Sequence, residues 1–290
     1  MKKFIAENIT VTGYSHQLLQ KECQDYSFCW EEDNYDAVIV CDGHGGDKYI
    51  RSAAGSRMAC AAGHKVISEF MSVLKKDKKF KNKFLKDDKE RDKMLAQLCR
   101  AVIQEWNERI ANDLAVASIE NDERYVSLSD ADKLDIMHNN FKAYGSTFIA
   151  AVLTERFYVI LKLGDGNVCL VHGGGRTTLA EKYFEWLKDD NLQFNLTTSL
   201  CSENADMDFR YAFSKYDPNE LHGIILTSDG VINSYTSEDS YLKLIKNVYL
   251  SFSKRNKNDA KTELADFLDT LSEKGSGDDV SIAVVCRKRK

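Results

Sequence analysis

From Asp36 to Asp42 the chain reads Asp-Ala-Val-Ile-Val-Cys-Asp, an apolar run with a carboxylate at each end, and Gly43-His44-Gly45-Gly46 stops it. A continuous apolar run of this length, bounded by glycines, reads as a strand buried on both faces. Such a strand belongs inside a layered fold. The neighbouring segments Phe4–Thr12 and Tyr26–Glu31 alternate apolar and polar residues, as half-buried strands do. After Gly46 the period changes. Ile50, Ala54, Met58, Ala62, Val66 and Phe70 recur at steps of four, with Ala53, Ala61 and Ile67 beside them, which predicts a helix from Asp47 to about Leu74.

A second helix is predicted from Asp92 to Ala117, with Leu95, Leu98, Val102, Trp106 and Ile110 on its inner face. Strand patterns return at Ser146–Leu153, Arg156–Leu163 and Val168–His172. The turn residues Gly164-Asp165-Gly166-Asn167 predict that the last two form a hairpin. Strands follow at Phe209–Phe213 and Gly223–Thr227, helices at Glu238–Phe252 and Asn258–Leu271, and a last strand at Val280–Cys286. Strands and helices thus come in blocks. That favours an α+β layer protein with mainly antiparallel sheets over a doubly wound parallel fold.

Three stretches fit neither period. Lys75–Lys93 is dense in Lys and Asp and reads as a solvated loop or helix end rather than a basic docking patch. The polar stretch near 118–140 reads as a loop with a short helix, and Arg176–Asp206 as an irregular excursion from the sheet. With a single proline, Pro218, and no Gly/Ser-rich linker, no boundary divides the chain, so residues 1–290 are expected to form one domain with polar insertions near 75–93 and 118–140.

Composition narrows the function classes. The chain is 43% hydrophobic and 29% charged, as soluble globular proteins are. Lys plus Arg is 40 against 45 Asp plus Glu, and this acidic balance argues against a generic nucleic-acid binder. No apolar run approaches the ~20 residues needed to cross a bilayer, and Glu7, Asn8 and Thr10 interrupt any signal-peptide core, so a cytoplasmic location is expected. Cys23, Cys29, Cys41, Cys60, Cys99, Cys169, Cys201 and Cys286 show no zinc spacing and are expected to be reduced thiols. No Gly-x-x-x-x-Gly-Lys-Ser/Thr loop for nucleotide phosphates occurs.

Three aspartates stand at the ends of predicted strands, beside Gly or a second Asp: Asp42, Asp229 in Leu226-Thr227-Ser228-Asp229-Gly230, and Asp278 in Gly277-Asp278-Asp279-Val280-Ser281. Singly, each is ordinary turn chemistry. Gathered at one sheet edge, they would repel one another unless a cation joined them. A set of oxygen ligands alone selects hard ions, Mg²⁺ or Mn²⁺, over zinc. Gly43 directly after Asp42 lets the backbone carbonyl approach such an ion.

The ordered set Asp42-Gly43-His44-Gly45-Gly46, Gly145-Ser146-Thr147, Gly164-Asp165-Gly166-Asn167, Ser228-Asp229-Gly230 and Asp278-Asp279-Val280-Ser281 resembles the metal-dependent serine/threonine protein phosphatases of the PP2C type (PPM). Ser15-His16 followed by Cys23-Gln24-Asp25 resembles their divergent, mostly bacterial branch. The resemblance covers nearly the whole chain. It implies an αββα sandwich, two antiparallel sheets with helix pairs outside, and two metal ions at one end of the sheets. It implies that Asp42 bridges both ions and the Gly43 carbonyl binds one. Asp229 and Asp278 bind the other, and Asp25 contributes directly or through water. His44 is the implied general acid for the departing serine or threonine oxygen, and Asp165 is implied to sit near the sheets' core, as a functional residue or a plain hairpin aspartate. A phosphorylated protein is the implied partner, and 176–206 lies where relatives place a flap.

The chain departs from that pattern in three places. Gln24 stands where the family usually has Glu, Gln20 where a phosphate-binding arginine usually lies, and Lys142 where many members have an aspartate for a third ion. An ammonium at Lys142 would repel a third cation or occupy its site. These changes leave a second expectation open, a pseudophosphatase that holds a phosphorylated partner without turnover.

Overall fold

The computed structural model describes residues 4–188 and 197–288. Ten strands form two sheets of five. They are β1 (Phe4–Val11), β2 (Tyr26–Glu31), β3 (Asp36–Cys41), β4 (Phe148–Leu153), β5 (Phe157–Leu163), β6 (Asn167–His172), β7 (Thr177–Leu179), β8 (Arg210–Lys215), β9 (Leu221–Thr227) and β10 (Val280–Arg287). One sheet has the order β1-β10-β9-β6-β7 and the other β2-β3-β4-β5-β8, and every neighbouring pair is antiparallel.

The period of two in each strand sorts its side chains between two cores. On β3, Val38 and Val40 point into the layer between the sheets, where they meet Ile149, Ile160, Leu226 and Val285. Ala37, Ile39 and Cys41 point outward to a helical layer. That layer is built on α2 (Ser52–Lys76), α3 (Lys78–Lys86) and α4 (Asp88–Val116), which follow a short α1 (Tyr14–Leu18). Small elements come next: α5 (Glu123–Val126), α6 (Asp130–His138), α7 (Ala205–Asp208) and α8 (Asp229–Asn233). The other sheet is covered by α9 (Glu238–Lys254) and α10 (Lys257–Lys274), which pack Tyr241, Ile245, Phe252 and Leu268 on Ile225, Ile282 and Val284. The layers therefore run helix, sheet, sheet, helix, as the motif set implied.

Four local expectations change. The predicted hairpin across Gly164–Asn167 does not exist: β5 pairs with β4 and β8, whereas β6 pairs with β7 and β9 in the opposite sheet. The turn residues serve a crossing between sheets instead. Gly164 has φ +105°, and a Cβ there would meet the Thr147 side chain at 2.5 Å. The hairpin lies one connection earlier, between β4 and β5, where Thr154 Oγ1 accepts hydrogen bonds from the backbone N–H groups of Arg156 and Phe157.

The 75–93 stretch is helical rather than a loop. Asp77 caps α3 by accepting from the N–H groups of Lys79 and Phe80, and Asp87 caps α4 through Glu90. Phe84 is fully buried among Phe70, Phe157 and Phe213. The helix expected from Asp47 starts at Ser52, because residues 47–51 form turns returning to Gly46 and Tyr49. The 118–140 stretch, expected as a loop with a short helix, instead holds α5 and α6 with short 3-10 turns at either end. Arg51, nearly buried, anchors it by donating to the carbonyls of Ala117 and Ser118 and to Asp122. The 176–206 stretch leaves the sheet after β7, and its residues 189–196 lie outside the described residues.

Candidate metal centre

One end of the sheets gathers the predicted carboxylates. Asp42 follows β3, and its backbone is clamped by the Gly145-Ser146-Thr147 segment. The Asp42 N–H donates to Thr147 Oγ1 (2.9 Å), the Thr147 N–H to the Asp42 carbonyl (2.8 Å), and the His44 N–H to the Gly145 carbonyl (3.1 Å). Gly43 needs its missing side chain here. A Cβ would lie 2.6 Å from the Gln24 carbonyl oxygen and 2.8 Å from that of Ser52. The Gly43 N–H donates to that Gln24 carbonyl (3.1 Å), which brings Asp25 beside Asp42.

Asp229 opens α8, lies close enough to Asp42 to act on its ionisation, and accepts a hydrogen bond from Asn233 Nδ2 (3.0 Å). Asp278 lies just before β10 and accepts from the Asp279 N–H (2.8 Å). Asp165, on the crossing between the sheets, accepts from Thr197 Oγ1 (2.6 Å) and acts on Asp42, Asp229 and Asp278 by charge.

The electrostatics are those of anions without a counter-charge. Burial raises the pKa of Asp25 to about 8, and the charges of Asp279 and Asp278 add to the shift, while the Ser228 and Ser281 hydroxyls act against it. Burial also raises Asp42, with further repulsion from Asp25, Asp229 and Asp165. Asp229 and Asp278 move up for the same leading reason. Both carboxylate oxygens of Asp25 are buried without a hydrogen bond of ordinary geometry. Among the described residues, no lysine or arginine forms an ion pair with any of the five carboxylates Asp25, Asp42, Asp165, Asp229 and Asp278. A fully buried carboxylate in this condition, as Asp25 is, is costly unless a cation joins it. An all-oxygen set with orphaned lone pairs therefore fits hard divalent cations.

Beside the cluster stands His44, shut in by Tyr49 (ring centroids 4.7 Å apart) and by Gly145, where a Cβ would lie 2.6 Å from His44 Cδ2. Burial lowers its pKa to about 4, so the imidazole is neutral at pH 7. Lys142 does not stand among the carboxylates. Its ammonium pairs with Asp135, which also holds Lys48 (2.7 Å). Gln24 is spent on packing: its Nε2 donates to Ser52 Oγ (2.8 Å). Gln20 is exposed with φ 53°, a left-handed conformation that costs energy outside glycine. All eight cysteines are free thiols.

One residue with a large part in the site was not singled out by sequence reasoning. Asp279 is buried, and its carboxylate accepts from the N–H groups of Gly13 (2.6 Å) and Gln24 (2.6 Å) and from His16 Nδ1 (3.1 Å). It staples the segment carrying Asp25 to the start of β10. His16, Asp278 and Asp279 also bring potential ligand atoms within 4.8 Å of one another, but these hydrogen bonds already use both Asp279 oxygens. The available signal was the doublet Asp278-Asp279, where one carboxylate faces the cluster and the other must find donors.

The sequence model described as Protein phosphatase 2C matches residues 12–269. None of the curated proteins matches the sequence. Among solved structures, PppA, a regulatory component of the type VI secretion system of Pseudomonas aeruginosa, superposes with a TM-score of 0.58 at 13% identity, covering 99% of this chain and 98% of that one. The serine/threonine phosphatase Stp1 of Staphylococcus aureus gives 0.55 at 13% identity, covering 100% and 96%. The catalytic domain of the serine/threonine protein phosphatase PstP, in complex with two manganese ions, gives 0.52 at 16% identity, covering 99% of both chains. At such identities these likenesses bear on the fold.

Proposed function

The chain belongs to the protein phosphatase 2C family, and from that premise we propose that it hydrolyses phosphoserine and phosphothreonine in proteins with two bound Mg²⁺ or Mn²⁺ ions. The observation that carries the proposal is the set of five interacting carboxylates without a counter-charge, with both Asp25 oxygens orphaned. Asp42 is assigned to both ions, the Gly43 carbonyl to one, Asp229 and Asp278 to the other, and Asp25 to the same centre. Ions bound there supply positive charge to the phosphoryl oxygens and lower the pKa of an attacking water.

The chain's own residues supply the rest. The Gly145–Thr147 clamp holds Asp42 and His44 in fixed register. Asp279 holds the Asp25 segment against β10. His44 is assigned as general acid: a phosphate dianion beside it would favour the imidazolium, which would give its proton to the departing serine or threonine oxygen and return to the neutral ring that burial favours in the empty site. No cysteine is needed as a nucleophile, and burial raises the Cys41 thiol beside Asp42.

In this reading residues 1–290 form one catalytic domain that acts on a phosphorylated protein in the cytoplasm. No helix of the described residues is long and apolar enough to cross a membrane. A second reading, a fold that binds a phosphorylated partner without turnover, is favoured by Gln20 and by Gln24, whose amide is bonded to Ser52 instead of adding a carboxylate. Hydrolysis of p-nitrophenyl phosphate and of a phosphothreonine peptide with Mn²⁺, Mg²⁺ or EDTA, beside Asp229→Asn, separates the two. Metal-dependent turnover lost in the variant supports the phosphatase. No turnover with either ion sinks it in favour of the binding fold.

A further inference from the structure

Arg51 stands just before α2, and its side chain is nine-tenths buried. A guanidinium in such a place is costly unless its donors are met, and here three segments meet them. Nη1 donates to the Ala117 carbonyl at the end of α4 (2.8 Å) and to the Tyr144 hydroxyl (2.7 Å). Nη2 donates to the Ser118 carbonyl (3.1 Å), and Nε to Asp122 Oδ2 (3.1 Å). The Tyr144 hydroxyl passes its own hydrogen to Asp113 Oδ2 on α4 (2.6 Å), which lies 3.4 Å from Arg51 Nη1. The Arg51 backbone N–H donates to the Ala143 carbonyl (2.8 Å). Head and main chain of this arginine therefore both hold residues 143–144.

Those two residues lead straight into the clamp on the carboxylate cluster. Tyr144 is fully buried, and Gly145 after it accepts from the His44 N–H. Ser146 bridges to Gly43, and Thr147 exchanges hydrogen bonds with Asp42. Close packing fixes the same place from the helix side. A Cβ on Gly55, in the first turn of α2, would lie 1.9 Å from the Tyr144 carbonyl oxygen. Segment 143–147 thus takes its position from Arg51 and the start of α2, and His44 and Asp42 take theirs from segment 143–147. A buried polar network with its partners met makes what it touches rigid. Rigidity matters at this place, because a shift of about 1 Å at a reacting group can cost a hundredfold in rate.

We infer that Arg51, acting through Tyr144, is a positioning residue for His44 and Asp42, and that its bonds to Ser118 and Asp122 form a separate arm that roots the 118–140 stretch. The inference rests on the phosphatase reading, to which it adds the residue pair that sets the clamp's register. Tyr144 separates positioning from plain anchoring. Its ring fills the core beside α2, whereas its hydroxyl joins the guanidinium to the segment that carries the clamp.

The test compares Tyr144→Phe, which keeps the ring and removes the hydroxyl, with Asp122→Asn, which weakens the arm to the 118–140 stretch. Urea unfolding is run on each variant, and turnover is measured where each is fully folded, so loss of fold does not enter. With p-nitrophenyl phosphate and saturating Mn²⁺, Tyr144→Phe is expected to lower kcat about tenfold while KM stays within about twofold of wild type. Asp122→Asn is expected to keep both within about twofold. Arg51→Lys should lose at least as much kcat as Tyr144→Phe, and adding Tyr144→Phe to it should change kcat by no more than about twofold, because the two act as one unit. A wild-type kcat in Tyr144→Phe, an equal loss in Asp122→Asn, or a further tenfold loss in the double variant overturns the inference. If the wild-type protein does not turn over p-nitrophenyl phosphate, the phosphatase reading fails, and Mn²⁺ affinity by titration calorimetry then decides. A loss of about tenfold in Tyr144→Phe but not in Asp122→Asn upholds the positioning of Asp42, and equal affinities overturn it.

Discussion

Asp278 and Asp279 are neighbours in the chain and opposites in their surroundings. Asp279 is buried, and three donors meet its carboxylate. Asp278 is exposed as a residue and faces Asp229 and Asp165, and partial desolvation of its carboxyl together with like charge raises its pKa. The difference extends to two regions of the molecule. The staple region binds its anion with the chain's own N–H groups and so contributes to folding. The cluster of Asp25, Asp42, Asp229 and Asp278 leaves its anions unpaired and so destabilises the metal-free fold while preparing a place for cations. Substituting an aspartate should therefore have opposite effects on stability in the two regions, although both lie at the same end of the sheets.

The largest effect expected is in activity. Asp229→Asn should lower metal-dependent phosphoester hydrolysis by at least about a hundredfold, while raising the melting temperature of the EDTA-treated protein, because a repelling charge is gone. A fall in that melting temperature would place Asp229 with the staple. Next, Asp279→Asn should cost about 2–4 kcal/mol in urea unfolding, because a charged acceptor of three hydrogen bonds is weakened in a buried place. It should also weaken Mn²⁺ binding about 10–100-fold by titration calorimetry. Unchanged unfolding would remove the distinction between the regions.

The pH dependence of the metal-free protein sharpens the same comparison. The folded pKa of Asp25 is raised to about 8, and those of Asp42, Asp229 and Asp278 are also raised. The folded state thus holds more protons than the unfolded state between the ordinary carboxylate range and about pH 8, so stability falls as pH rises through that window. Thermal scans in EDTA from pH 5 to pH 8 should show a falling melting temperature, and saturating Mn²⁺ should flatten the slope. A rising melting temperature in EDTA would contradict the unpaired state of the cluster. The smallest effect belongs to Lys142→Met. Its partner Asp135 is shared with Lys48 in a partly exposed group, so the unfolding free energy should change by less than about 1 kcal/mol. A larger loss would show that Lys142 acts on the carboxylate cluster after all.

Much of the site was legible because its chemistry is local. Asp42 before three glycines within four residues, and Asp278 beside Asp279, mark sheet-end carboxylates whatever surrounds them. Asp279 was missed as a staple because its donors, Gly13, His16 and Gln24, come from the far end of the chain. The capped helix at 78–86 was missed because its charges hid the spacing of Phe80 and Phe84, which only neighbours such as Phe157 and Phe213 turn into a buried face. The neutral state of His44 depends on Tyr49 and Gly145 closing around it.

The sequence by itself determined the alternation of strands, the two long helix blocks and the identity of the carboxylates that meet, since periodicity and residue chemistry act over a few positions. The tertiary structure alone decided that β5 and β6 lie in different sheets, that Lys142 turns to Asp135, and that Arg51 ties Ser118 and Asp122 to Tyr144. Turn residues limit the backbone angles at a connection. They do not say which distant strand will supply the next row of hydrogen bonds, because that choice is made by burying whole faces against one another.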